Sequence, residues 1–137
     1  MRVKLSEIPE GGMMTLSERF DPAAMRLDTP ELKFLAPAAV TAEFHREPET
    51  VGVDVAVTGE TEEVCGRCLE AAVKPYENRF RLDYETKGRL ELDVTDDIRQ
   101  EILLSYPVQF LCREECRGLC PACGTNLNER SCTHGAS

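Results

Sequence analysis

Seven cysteines and two histidines are the residues of this chain best suited to chemistry, and they are unevenly spread. Five of the thiols fall in C-R-E-E-C-R-G-L-C-P-A-C-G-T-N-L-N-E-R-S-C-T-H, which runs from Cys112 to His134. The other two form a tight pair upstream, Cys65-Gly66-Arg67-Cys68. A thiolate is a soft metal ligand, and a closed structural zinc site takes four ligands of this kind. Cys65, Cys68, Cys112, Cys116, Cys120, Cys123, Cys132 and His134 therefore make two full Zn²⁺ sites, with one occupied site as the alternative. An odd number of thiols would strand one in a disulfide framework, which also favours metal. Isolated buried cysteines are usually inert core residues. Three close pairs, and a seventh thiol beside a histidine, do not fit that description.

Spacing leaves the pairing of ligands open. Closing a short loop costs less entropy than closing a long one, though only logarithmically. That favours Cys120, Cys123, Cys132 and His134 as one site in the tail. Cys65, Cys68, Cys112 and Cys116 then form the second. The alternative joins the two C-x2-C pairs, Cys65/Cys68 with Cys120/Cys123, as in a zinc ribbon. Gly124 suits a knuckle turn that needs positive φ. Cys112 and Cys116 would face one side of a helical turn, which Gly118 would end.

Arg67, Arg113, Arg117 and Arg130 lie inside the metal loops. Arginine pairs with phosphate and stacks on bases, so these four are candidates for contact with RNA or another partner. Balancing thiolate charge and nearby Glu114, Glu115 and Glu129 is the plainer account. C-G-R-C also resembles a dithiol redox motif. Such a motif needs a helix after the first thiol, whereas Val73 and Pro75 follow here. No glycine-rich phosphate loop, H-E-x-x-H or serine nucleophile motif occurs. The reading is accordingly not an enzyme, with no small-molecule substrate.

These residues need elements to position them. Residues 1 to 8 read as a short strand, Pro9 to Gly12 as a turn, and 13 to 20 as a strand. Asp21-Pro22 suits the opening of a short helix. Residues 26 to 38, with Pro30 and Pro37, show no clear period. Val40, Ala42 and Phe44 alternate with Thr41, Glu43 and His45, and His45 reads as a solvated strand residue with no ligand partner near it. Val51, Val53, Val55 and Val57 mark the clearest half-buried strand, which Gly59 is expected to break. The thiol pair sits at the turn before the next strand, where Pro75 is an interruption ahead of Arg79 to Thr86. Leu90 and Leu92 allow one more short strand. Residues 94 to 106 are the main helix, with cap chemistry at Thr95, Asp96 and Asp97 and Ile98, Ile102 and Tyr106 on one side. Pro107 stops it.

The length of 137 residues suits a single domain: a mainly β region over 1–94, the helix over 95–106 and a cysteine-rich tail over 107–137. The fold class is α+β, mostly antiparallel β-sheet with one main helix and a zinc-knuckle C-terminal tail. With 25 acidic side chains against 16 basic ones, the net charge of −9 disfavours bulk attraction to nucleic acid or anionic membrane. A basic protein is the partner such a surface suits. No apolar run approaches the ~20 residues of a membrane helix, and Met1 to Glu7 lacks the apolar core of a signal peptide. The expected setting is the cytoplasm, where thiols stay reduced.

V-C-G-R-C-L-E at 64–70, then a helix closed by Pro107, then C-R-E-E-C-R-G-L-C-P-A-C-G-T-N-L-N, closely resembles the YceD-like family. These are the large ribosomal RNA subunit accumulation proteins, and the resemblance extends from about residue 45. Family members often end in C-x-C, where this chain has His134. The resemblance implies a role in synthesis, processing or accumulation of large-subunit (23S) ribosomal RNA, and so in ribosome assembly. It implies ribosomal RNA or a basic large-subunit ribosomal protein as the partner.

Overall fold

A computed structural model describes residues 1–107, 110–111 and 116–129. Cys112, Arg113, Arg130, Cys132 and His134 lie outside the described residues. The architecture is α+β: among the described residues, seven strands in two antiparallel sheets, one of five strands and one of two, and one α-helix. The strands are β1 (Arg2–Lys4), β2 (Met13–Phe20), β3 (Leu32–Phe34), β4 (Ala38–Arg46), β5 (Thr50–Val64), β6 (Ala71–Glu85) and β7 (Glu91–Asp93), and the helix is α1 (Thr95–Leu104).

β5 is the backbone of the sheet. Along one edge it pairs with β4 through Val51–Thr58 and, farther on, with β3 through Thr61–Glu63. Along the other edge it pairs with β6 over its whole length, from Thr50↔Glu85 to Val64↔Ala71. β2 completes the far side of β4. The period-two valines work as expected, since Val51, Val53, Val55 and Val57 are all buried. They join Val40, Ala42 and Phe44 in one cluster with Ile98 and Ile102 of the helix. β1 and β7 pair with each other, which brings Val3 and Leu92 into the same core.

Several expectations need correction. Gly59 does not break β5. An added Cβ there would meet the Phe34 ring at 3.3 Å, so the glycine leaves room for that side chain while the strand runs on. Pro75 does not interrupt β6. Among the described residues it lies on a strand that pairs on one side only, and an edge tolerates the missing N–H. Asp21-Pro22 opens no helix. The chain makes a single turn, Met25 N–H to Asp21 O at 2.9 Å, and then Arg26 takes φ 53. Arg99 of α1 and Tyr106 just past its end hold the turn's exit: Arg99 Nε donates to Met25 O at 2.6 Å and the Tyr106 hydroxyl to Leu27 O at 2.8 Å. Residues 1 to 8 are strand only to Lys4, followed by a 3-10 turn over Leu5–Glu7. β3 emerges from the stretch that showed no period.

The helix forms where expected, but its first turn is capped from one residue upstream. Asp93 Oδ1 accepts the Thr95 amide at 3.1 Å. The Thr95 hydroxyl and then its amide hold the Asp93 carboxyl below its ordinary range. Asp97 accepts the Tyr84 hydroxyl at 2.6 Å, tying the helix to β6. Burial first, and that carboxylate second, push the Tyr84 phenol well above its usual value.

Candidate metal centre

The β5–β6 hairpin places the first thiol pair at its tip. Cys65 ends the ladder, and its N–H donates to Glu70 O at 2.9 Å while Leu69 N–H returns to Cys65 O at 2.9 Å. Leu69 closes this turn at φ 62. A loop this tight brings Cys65 and Cys68 to the same side, both buried.

Cys116 comes to meet them. The sulfurs of Cys65, Cys68 and Cys116 all lie within 4.8 Å of one another. Cys65 Sγ and Cys116 Sγ are 3.5 Å apart. Thiolates bound at ~2.3 Å to a tetrahedral zinc ion stand about 3.8 Å from one another, so the spacing fits. A covalent S–S bond, at about 2.05 Å, is far shorter than the Cys65–Cys116 separation. Two donors point at these sulfurs: the Arg67 amide at 3.4 Å from Cys65 Sγ and Asn128 Nδ2 at 3.3 Å from Cys116 Sγ. N–H groups aimed at sulfur favour the thiolate, the state that binds metal. This group could hold a metal ion.

The tail is fastened to the hairpin by backbone as well as sulfur. Gly66 N–H donates to Phe110 O at 2.7 Å, and Lys74 Nζ to Leu111 O at 2.9 Å. Gly118, at φ 77, passes so close to Arg67 that a Cβ would lie 3.2 Å from its carbonyl oxygen. The Arg67 guanidinium donates to Cys116 O at 3.0 Å, so this arginine braces the site. Arg117 is exposed, and its amide is taken by Asn128 Oδ1 at 2.8 Å. Arg113 and Arg130 lie outside the described residues.

Cys120 and Cys123 stay on a separate turn. Cys120 N–H donates to Thr125 O and Gly124 N–H to Cys120 O, both at 2.8 Å, with Gly124 at φ 74. Cys120 is buried and Cys123 exposed. Hydrogen bonds from the Thr125 hydroxyl, at 3.0 Å, and the Thr125 amide hold the Cys123 thiol below its ordinary range. Among the described residues, Cys116 joins the Cys65/Cys68 turn. Cys112, Cys132 and His134 are the remaining candidate ligands, outside the described residues.

Sequence reading missed the supports. Asn126 Nδ2 donates to Glu70 Oε1 at 3.1 Å, and Asn128 serves both Arg117 and Cys116. The T-N-L-N that follows the second C-x2-C pair was the available signal. His45 also differs from expectation, because partners do lie near it. Its Nε2 is 2.9 Å from Glu43 Oε1, two residues back on the same face of β4, and 3.2 Å from Asp54 Oδ2, which the β4–β5 register places opposite Glu43.

Comparison with known proteins adds a family. Residues 82–137 match the family model described as "Large ribosomal RNA subunit accumulation protein YceD". A similar protein is the "Large ribosomal RNA subunit accumulation protein YCED homolog 1, chloroplastic" of Arabidopsis thaliana, 33% identical over 60 residues. That alignment covers 44% of this chain and 18% of the relative, so the chain spans less than a fifth of the relative's length. No solved structure matches the chain. The family match starts at Leu82, later than the motif resemblance did, and leaves out the Cys65–Cys68 turn. Both matches carry one description, and over residues 82–137 the chain is similar to the YceD-like family.

Proposed function

We propose that this chain is a non-enzymatic factor for the accumulation of large-subunit ribosomal RNA, acting in ribosome assembly and stabilised by zinc. The family match over residues 82–137 carries this reading. The thiol cluster supports the zinc component. Four thiolates from Cys65, Cys68, Cys112 and Cys116 would complete a closed structural site, and Cys120, Cys123, Cys132 and His134 a second. An ion with four protein ligands has no open position for substrate, which suits a structural role. Arg67 spends its guanidinium on the Cys116 carbonyl, which favours bracing over base contact. The net charge of −9 favours a basic ribosomal protein as the direct partner of most of the surface.

The test is genetic and chemical together. Cells lacking the chain should show a reduced ratio of large-subunit to small-subunit ribosomal RNA. A Cys65→Ala, Cys68→Ala copy should restore it poorly. An unchanged ratio in the deletion would end the rRNA reading. Normal rescue by the double variant would end the zinc component alone.

A further inference from the structure

The pole opposite the thiol turn carries a cleft of about 880 Å³, walled by β1 and its following 3-10 turn on one side and by the β6–β7 connection on the other. Lys4, Arg46 and Arg89 line it, with Glu91 the one acid among the lining residues. Across the chain carboxylates outnumber cations 25 to 16, so the cleft inverts the charge of the molecule around it.

Two of its cations, Arg46 and Arg89, are held by their neighbours, and Arg46 makes a long, exposed ion pair. Arg46 forms the floor, donating through Nη1 to Leu5 O at 3.0 Å and Ile8 O at 3.1 Å. Its nearest carboxylate, the highly exposed Glu10, stands 3.7 Å away. The Arg89 guanidinium lies 5.9 Å from the centre of the Tyr84 ring. Among the described residues, neither Lys4 nor Arg89 has a carboxylate within 4.0 Å. Thr86 adds a hydroxyl to the lining, and Leu5 and Leu90 an apolar wall.

We propose that this cleft binds a phosphate group. Three cations approach it from separate elements, and a tetrahedral oxyanion can accept from all three directions where a planar carboxylate accepts mainly in one plane. Under the ribosomal RNA reading, on which only this choice of source rests, the phosphate belongs to an RNA strand. A free phosphate or nucleotide offers the same chemistry. The acidic remainder of the surface would hold RNA off elsewhere and confine contact to this end.

The full-length chain is titrated with a labelled single-stranded oligoribonucleotide, followed by anisotropy at several salt concentrations, and separately with inorganic phosphate, followed by NMR of the arginine side chains. Lys4→Gln with Arg89→Gln is the test variant. Arg19→Gln with Lys33→Gln, which removes equal charge elsewhere, is the control. Arg46 is left intact because its hydrogen bonds hold the N-terminal segment. The expected result is a loss of tenfold or more in RNA affinity for the test pair and little for the control. The log–log salt slope should shrink by about 1.4, since each phosphate contact on a single strand contributes ~0.7. Phosphate binding at the cleft without RNA binding would keep the site and assign it a free ligand. RNA binding that the test pair leaves unchanged would overturn the cleft and spare the rRNA reading. Failure of both ligands to perturb Arg89 would overturn the proposal outright.

Discussion

Cys116 shows how one residue can join two remote parts of a chain. It sits 51 positions from Cys65 in sequence, yet its sulfur meets the hairpin thiol at 3.5 Å. On the zinc reading, purified chain should carry stoichiometric metal, and Cys116→Ala should lose one equivalent by elemental analysis. Full retention of metal by that variant would remove Cys116 from the ligand set. Arg67→Ala deletes the bond to the Cys116 carbonyl, and about 1 kcal/mol of stability should go with it, read from denaturant midpoints. Tyr84 gives a pH test. Its phenol is raised above 10.0 in the folded state, so the folded chain holds that proton more tightly than the unfolded one. The associated stability is intact below pH 10.0 and is lost as pH climbs from there toward the folded value. Tyr84→Phe should therefore flatten the alkaline limb of the stability profile. If wild type and variant lose stability in parallel between about pH 9 and about pH 12, titration of the buried Tyr84 phenol is not the cause. The thiol pairs were legible because close cysteine spacing has few other uses. Which thiols meet was not, because loop length alone discriminates weakly.

At the scale of elements, what could be read was what repeats locally. The valine run of β5 and the Ile98–Ile102 side of α1 each state their period within a few residues. Ile102→Ala should cost about 2–5 kcal/mol, because the side chain is fully buried against the sheet; an equilibrium unfolding curve checks it. Misreadings came where a local breaker met a tertiary reason to be there. Gly59 makes space for Phe34, which arrives on β3 from a stretch bounded by Pro30 and Pro37. Pro75 lies at an edge that asks for no donor. Pro75→Thr should leave stability within about 0.5 kcal/mol and raise self-association, since a new edge N–H invites another strand. Light scattering during storage would show it. The β1–β7 pairing, which links Val3 to Leu92, was beyond local reading because nothing in either three-residue strand names the other.

For the molecule as a whole, charge and topology divide the labour between two ends. The thiol turn lies at one end of the β5–β6 ladder and the cationic cleft beyond the other. Fifteen residues per strand at ~3.3 Å per residue put the ends roughly 45 to 50 Å apart. β4 accompanies β5 only as far as Thr58, and past that point β3 adds just three paired residues. The tip of the hairpin therefore projects beyond the broad part of the sheet. Such a projection would work as a lever arm: a partner that grasped the thiol turn would load the short β3 seam and the tail's bonds to Gly66 and Lys74 before the valine ladder. Strain from a bound assembly would be absorbed near Leu32 and Glu63, and amide exchange there would report the grip while the centre of the sheet stayed silent.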